Sequence, residues 1–148
     1  ARPATVPLGA LAAVGAKDGY LAAAVALTTA DPAGADPKRA ADEFRLSAAV
    51  RAAGGAAADS GWGFPVAGHA AELPADALAA GWDKLHDGKA KEELTRRLVL
   101  AVRTWRPEVV VADPFPLSDH PADRLTLVAA QEAFKKAADP AAFPEQIS

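Results

Sequence analysis

Between Lys91 and Trp105 apolar residues return at helical spacing, at Leu94, Leu98, Leu100, Ala101 and Trp105, while Arg96, Arg97 and Arg103 fall on the outward side. This pattern predicts the clearest helix of the chain, closed by Arg106-Pro107. Tyr20 to Thr29 shows the opposite pattern, apolar without alternation, which predicts a buried strand with helices over both faces of a parallel sheet. A shorter β-branched run, Glu108 to Ala112, predicts a second such strand.

The remaining segments fill in around these. Pro7 to Ala16 reads as a short alanine-rich helix, with proline suited to its first turn and Lys17-Asp18-Gly19 as its stop. Ala30 to Pro37 is a loop by its Asp, Pro and Gly content. Lys38 to Ala53 predicts a helix with Phe44, Leu46, Ala49 and Val50 as core candidates, ended by Gly54-Gly55. A short strand is expected within Ala56 to Trp62, and Gly61 to Gly68 is a loop. Pro74 to Trp82 predicts a helix, His86 to Lys89 a break, and Pro121 to Ala138 the last helix, with Pro140 to Ser148 extended and frayed. Helices alternating with apolar strands indicate an α/β fold with a mainly parallel sheet, arranged as one domain over residues 1–148.

Composition narrows the function classes. The chain has 148 residues, enough to bury a core, and its net charge of −3 is spread without a basic stripe, so nucleic acid is not indicated as a partner. No apolar run approaches a membrane span. The absence of cysteine excludes disulfides, iron–sulfur clusters and thiolate zinc sites. Alanine supplies roughly a quarter of the residues, which blunts the hydrophobic periodicity and allows close helix packing. There is no GxGxxG, no phosphate-binding P-loop and no nucleophile elbow.

The candidate chemistry lies between Trp105 and Arg124. A helix end there leads into the strand candidate, the strand ends at Asp113, and a Pro-rich loop carries Asp119 and His120 to the start of the next helix. Delivery of reactive groups at the carboxyl end of a parallel strand is how α/β folds build sites.

Several passages in this order resemble the PIG-L/LmbE family of zinc N-deacetylases. Arg106-Pro107-Glu108-Val109-Val110-Val111 resembles the family's "RPDVVV" helix-to-strand passage. Asp42-Glu43-Phe44-Arg45, with Ala48-Ala49 and Gly54, resembles its "REEF…AA…G" helix, and Trp62-Gly63-Phe64-Pro65 its "LGFPD" loop. Glu132-Ala133-Phe134, Ala137-Ala138-Asp139-Pro140 and Phe143-Pro144-Glu145-Gln146 resemble the ending of one bacterial branch. The resemblance implies a Rossmann-like three-layer α/β sandwich. The family's first central strand precedes its AHPDDE motif, and this chain begins at that motif. The expectation is therefore a fragment of a longer chain, with the central strand missing from it; the alternative is that another polypeptide supplies that strand.

The resemblance also implies that the family chemistry is damaged. Ala1-Arg2-Pro3-Ala4-Thr5-Val6-Pro7-Leu8-Gly9 lines up with AHPDDExLG. Arg2 stands at the zinc-binding His, Ala4 at the general base, Thr5 at the zinc-binding Asp and Val6 at the Glu. In the second motif, HPDH, His120 and Pro121 agree, Ala122 replaces Asp, and Asp123 replaces the zinc-binding His. A catalytic zinc needs about three protein ligands. Asp123 is the one chemically plausible ligand left, and Arg2 puts a fixed positive charge near the metal position.

Two function classes follow. The first is a non-catalytic member of the family, without cofactor, that packs against a protein partner or the rest of its own chain and keeps a sugar-sized pocket. The second is a zinc-dependent N-deacetylase whose metal site is completed from outside this chain or by a non-family arrangement of Asp113, Asp119, His120 and Asp123. A metal-free small-molecule binding module is a third. His120 and Asp119 are the catalytic candidates, Asp113, Arg2 and Arg124 the pocket candidates, and Asp123 the metal candidate if zinc binds. Each has a plainer alternative. His120 can be a loop histidine near a helix start, Asp113 and Asp119 turn formers, and Asp123 a first-turn acid favoured by the helix dipole. Asp123 can also pair with Arg2 in place of the metal. His69 and His86 read as surface residues, Lys89, Lys91, Arg96 and Arg97 as a solvated helix face, and Trp62, Trp82 and Trp105 as core anchors.

Overall fold

The computed structural model describes residues 6–29, 37–60, 63–66, 73–112 and 120–147. The fold is mixed α/β, with five α-helices and short parallel strands among the described residues. The chain forms two compact units, Ala1–Gly68 and His69–Ser148.

In the first unit, α1 (Leu8–Leu11) runs without a break into a π-helical stretch, Ala12–Lys17. The wider turn is marked by the Asp18 N–H donating to the Ala13 carbonyl at 3.1 Å. Gly19, at φ +76°, then turns the chain. β1 (Ala23–Val25) pairs in parallel with β3 (Ala57–Asp59), and β2 (Thr28–Thr29) with β4 (Phe64–Pro65). Parallel partners need a crossover, and α2 (Pro37–Ala52) lies in the connection between β2 and β3.

The long strand expected over Tyr20 to Thr29 is thus two short ones. Ala26 still donates to the Asp59 carbonyl at 2.8 Å, after which the chain changes partner from β3 to β4. Tyr20 and Leu21 precede the pairing and are exposed, so the apolar run overstates the strand. β4 falls inside the segment expected to be a loop; Phe64 is fully buried there.

Leu11, Ala24, Ala26, Leu46 and Val50 form the core of this unit, with Val6, Ala22, Ala53 and Ala58 packed on it. Leu46 and Val50 are one turn apart and share a face of α2. Phe44 lies on the opposite side and is 75% exposed, against the expectation of a core residue. α2 ends as a Schellman motif. Gly55 donates to the Val50 carbonyl at 2.8 Å and Gly54 to Arg51 at 3.0 Å, with Gly54 at φ +87°.

In the second unit α3 (Ala75–Asp83), α4 (Ala90–Trp105) and α5 (Pro121–Ala137) pack on one another, α4 most extensively on α5. Leu94, Leu98 and Val99 are the large buried residues of α4; Ala122, Thr126, Ala129 and Ala133 form a small-residue stripe on α5 that permits close approach. Leu78 and Trp82 bury the inner face of α3. Leu100 points away from the Leu94–Leu98 stripe and is exposed, and Trp105, the last residue of α4, is 37% exposed. Asp83 caps the next helix, its Oδ1 accepting from the Ala90 N–H at 2.9 Å. The break before α4 is made at Asp87 and Gly88, both at positive φ.

Two expectations fail here. Glu108 to Ala112 forms no strand, and Val109, Val110 and Val111 are exposed; β-branched composition alone does not supply pairing partners. Residues 140–147, expected to be extended and frayed, are ordered instead. They include a 3₁₀ turn, Pro144–Gln146, and are bound back to α4 through Arg103, which therefore does not face solvent as its helical position implies.

Candidate functional site

α4 stops at Arg106, which takes the left-handed conformation (φ 46°) and donates to the Val102 carbonyl at 2.8 Å. Pro107 and the exposed valines follow. Arg2, Asp113 and Asp119 lie outside the described residues, as do His69 and Trp62.

His120 is the N-cap of α5. Its backbone is extended (φ −74°, ψ 125°) and its Nδ1 accepts the Ala122 backbone N–H at 3.2 Å. The next residue is Pro121 at the first helical position, where a missing N–H removes no bond. An Nδ1 that accepts carries a lone pair, so the neutral ring holds its proton on Nε2, an atom closed off from solvent. The His120 carbonyl in turn accepts from the N–H groups of Asp123 and Arg124 at 3.1 and 3.4 Å.

Asp123 lies in the first turn of α5 and is 6% exposed, while Arg124 beside it is exposed. The carboxylate there faces the positive end of the helix dipole. His120 to Asp123 are thus drawn together as a helix start: one ring nitrogen is committed to the backbone and the acid is packed within the first turn. Among the described residues, no three His, Cys, Asp or Glu side chains converge in a way that could hold a metal ion.

A second charged cluster lies on α4. Glu93 accepts from Arg96 Nε at 2.8 Å, Arg96 Nη2 at 3.0 Å and Arg97 Nε at 2.6 Å. The Arg96 hydrogen bonds pull the Glu93 carboxyl down to about 2, against the opposing effect of burial and with help from Arg97. Glu93 holds the Arg96 guanidinium above its usual value. Lys91 bonds Glu132 of α5 at 3.1 Å. Of the basic face read from the sequence, Lys91, Arg96 and Arg97 are ion-paired, and Lys89 and Lys91 are exposed to solvent. His86 sits half-buried in the turn before α4.

Arg103 was not legible as special. Its five N–H groups meet the carbonyls of Lys136, Ala137, Asp139, Ala142 and Phe143 and the Gln146 side-chain oxygen. Its acceptors are almost all backbone atoms, so no complementary acid marks it in the sequence.

No family model, curated protein or solved structure matches the chain.

Proposed function

We propose that this chain is a non-catalytic domain of PIG-L/LmbE type, one that binds a protein partner or the remainder of a longer chain instead of hydrolysing an amide. The observation that carries this reading is the use of His120. The histidine that matches the second motif spends its Nδ1 on the Ala122 N–H and serves as a helix cap. The residue at the last motif position, Asp123, is packed into the same helix start. With Arg2, Ala4 and Thr5 at the first-motif positions, the donors fit a zinc poorly, and no step through a metal is derived.

The finer architecture, a Rossmann-like three-layer sandwich, is part of the same proposal. Its support is that both strand pairs are parallel and that α2 lies in the connection between β2 and β3. A longer sheet would use the exposed run at Val109–Val111 as a strand once a neighbour is supplied.

Zinc content after mild loading and dialysis tests the functional reading. The expected result is no retained zinc, and the same result for His120→Ala and Asp123→Ala. Near-stoichiometric zinc in the unaltered protein that disappears in both variants overturns it and points to the deacetylase.

A further inference from the structure

The last residues of the chain close around a single cation. Arg103 Nη2 donates to the Asp139 and Ala142 carbonyls at 2.8 and 2.7 Å and to Lys136 at 3.4 Å. Its Nη1 donates to the Phe143 carbonyl at 3.0 Å and Gln146 Oε1 at 3.3 Å, and its Nε to the Ala137 carbonyl at 3.2 Å. Gln146 completes the closure, its Nε2 donating to the Arg96 carbonyl of α4 at 2.9 Å. Lys136 Nζ lies 6.0 Å from the centre of the Phe143 ring.

Two features set this arrangement apart from an ordinary surface arginine. No carboxylate among the described residues bonds the guanidinium; its ligands are oxygen dipoles, and two of them, the Lys136 and Ala137 carbonyls, belong to the last turn of α5. The acceptors also span residues 136 to 146, so one side chain fixes the whole terminal turn. Local bonds within that turn are few and short in range: Ala141 to Asp139 Oδ1 at 2.9 Å, Ala142 to the Asp139 carbonyl at 3.2 Å, Gln146 to Phe143 at 3.0 Å and Ile147 to Pro144 at 3.1 Å. Such bonds do not hold a ten-residue segment by themselves.

We propose that residues 138–147 form a strap that opens and closes as one unit on the Arg103 guanidinium, and that the closed strap is a carbonyl cage selective for a guanidinium-type cation. Shape and charge both matter. A planar fork satisfies diverging carbonyls simultaneously, and an ammonium group supplies one compact donor centre instead. When the strap opens, the amides of Ala141, Ala142, Gln146 and Ile147 are freed together while α4 stays folded.

Native-state hydrogen exchange on the unaltered protein gives the first test. These four amides are expected to exchange with one common opening constant, well above that of Leu98 and Val99 in α4. Opening at unrelated rates, or only with global unfolding, overturns the proposal. Arg103→Ala and Arg103→Lys give the second. The expected loss of protection in Arg103→Ala is about tenfold or more, as for a charged hydrogen-bond donor, with Arg103→Lys between it and the original. Low-millimolar methylguanidinium is expected to restore protection in Arg103→Ala, where equal sodium chloride and urea do not. Unchanged protection in Arg103→Ala, or equal rescue by all three solutes, overturns the cage.

Discussion

His120 Nδ1 lies 3.2 Å from the Ala122 backbone nitrogen, so an imidazole does at α5 what serine, threonine or aspartate does at most helix starts. Removing the acceptor leaves one N–H of the first turn unsatisfied. Pro121, Ala122 and Asp123 are all buried there, so water does not readily replace the ring. His120→Ala is expected to lower stability by about 0.5–2 kcal/mol, and His120→Asn, which keeps an acceptor, by a few tenths. Urea denaturation with and without added zinc measures both. A zinc-dependent difference between the original protein and His120→Ala would show that the ring serves a metal.

Glu93 makes stability depend on acid pH. Its folded carboxyl is held down to about 2, chiefly by the Arg96 hydrogen bonds, below the ordinary 4.5. A carboxyl depressed in the folded state stabilises fully above its unfolded value, and that contribution is lost as pH falls through the folded one. The stability gap between the original protein and Glu93→Gln is therefore expected to be constant above about pH 5 and to shrink between about 4.5 and 2. The arginines are partly exposed, at 39% and 32%, so screening leaves a total on the order of 1 kcal/mol, smaller at high salt. Denaturant melts across that range in two salt concentrations read the effect directly.

Two glycines differ in the sign of an alanine substitution. Gly54 sits at φ +87°, and a Cβ there would lie 2.6 Å from the Ala16 Cβ. Gly54→Ala meets both left-handed strain and a clash, and is expected to cost more than about 1–2 kcal/mol. Gly81 is inside α3 with nothing near its missing Cβ. Gly81→Ala is expected to stabilise by about 0.5–1 kcal/mol through helix propensity. Thermal melts of the two variants should move in opposite directions.

The helices were legible because their signals are local. Leu94 and Leu98 repeat at one turn, Gly54-Gly55 stops α2, and Arg106-Pro107 stops α4. Strand lengths were not legible, because pairing is set by a partner distant in sequence. Tyr20-Leu21 looked like the start of a strand that begins at Ala23, and Phe64-Pro65 looked like a loop but pairs with Thr28-Thr29. Abundant alanine added to this. Ala24, Ala26, Ala129 and Ala133 are buried, yet many other alanines are exposed, so residue type alone does not separate core from surface. At the candidate site, the sequence placed His120 at a helix start and offered capping as its plainer role. The choice of ring nitrogen and the burial of Asp123 depend on three-dimensional placement.

Val109-Val110-Val111 separates the local reading from the sheet reading most sharply. Exposed at 75%, 46% and 69%, these side chains have little to lose from added polarity. A double variant, Val109→Thr with Val111→Thr, is expected to stay within about 0.5 kcal/mol of the original, as for surface positions. The same hydroxyls in a strand covered on both faces would cost about 1–3 kcal/mol each, because each would be buried away from water. Urea melts of this double variant therefore report on pairing as well as stability. A large loss would place the run inside a sheet, and a small one would leave it as an open apolar segment after α4.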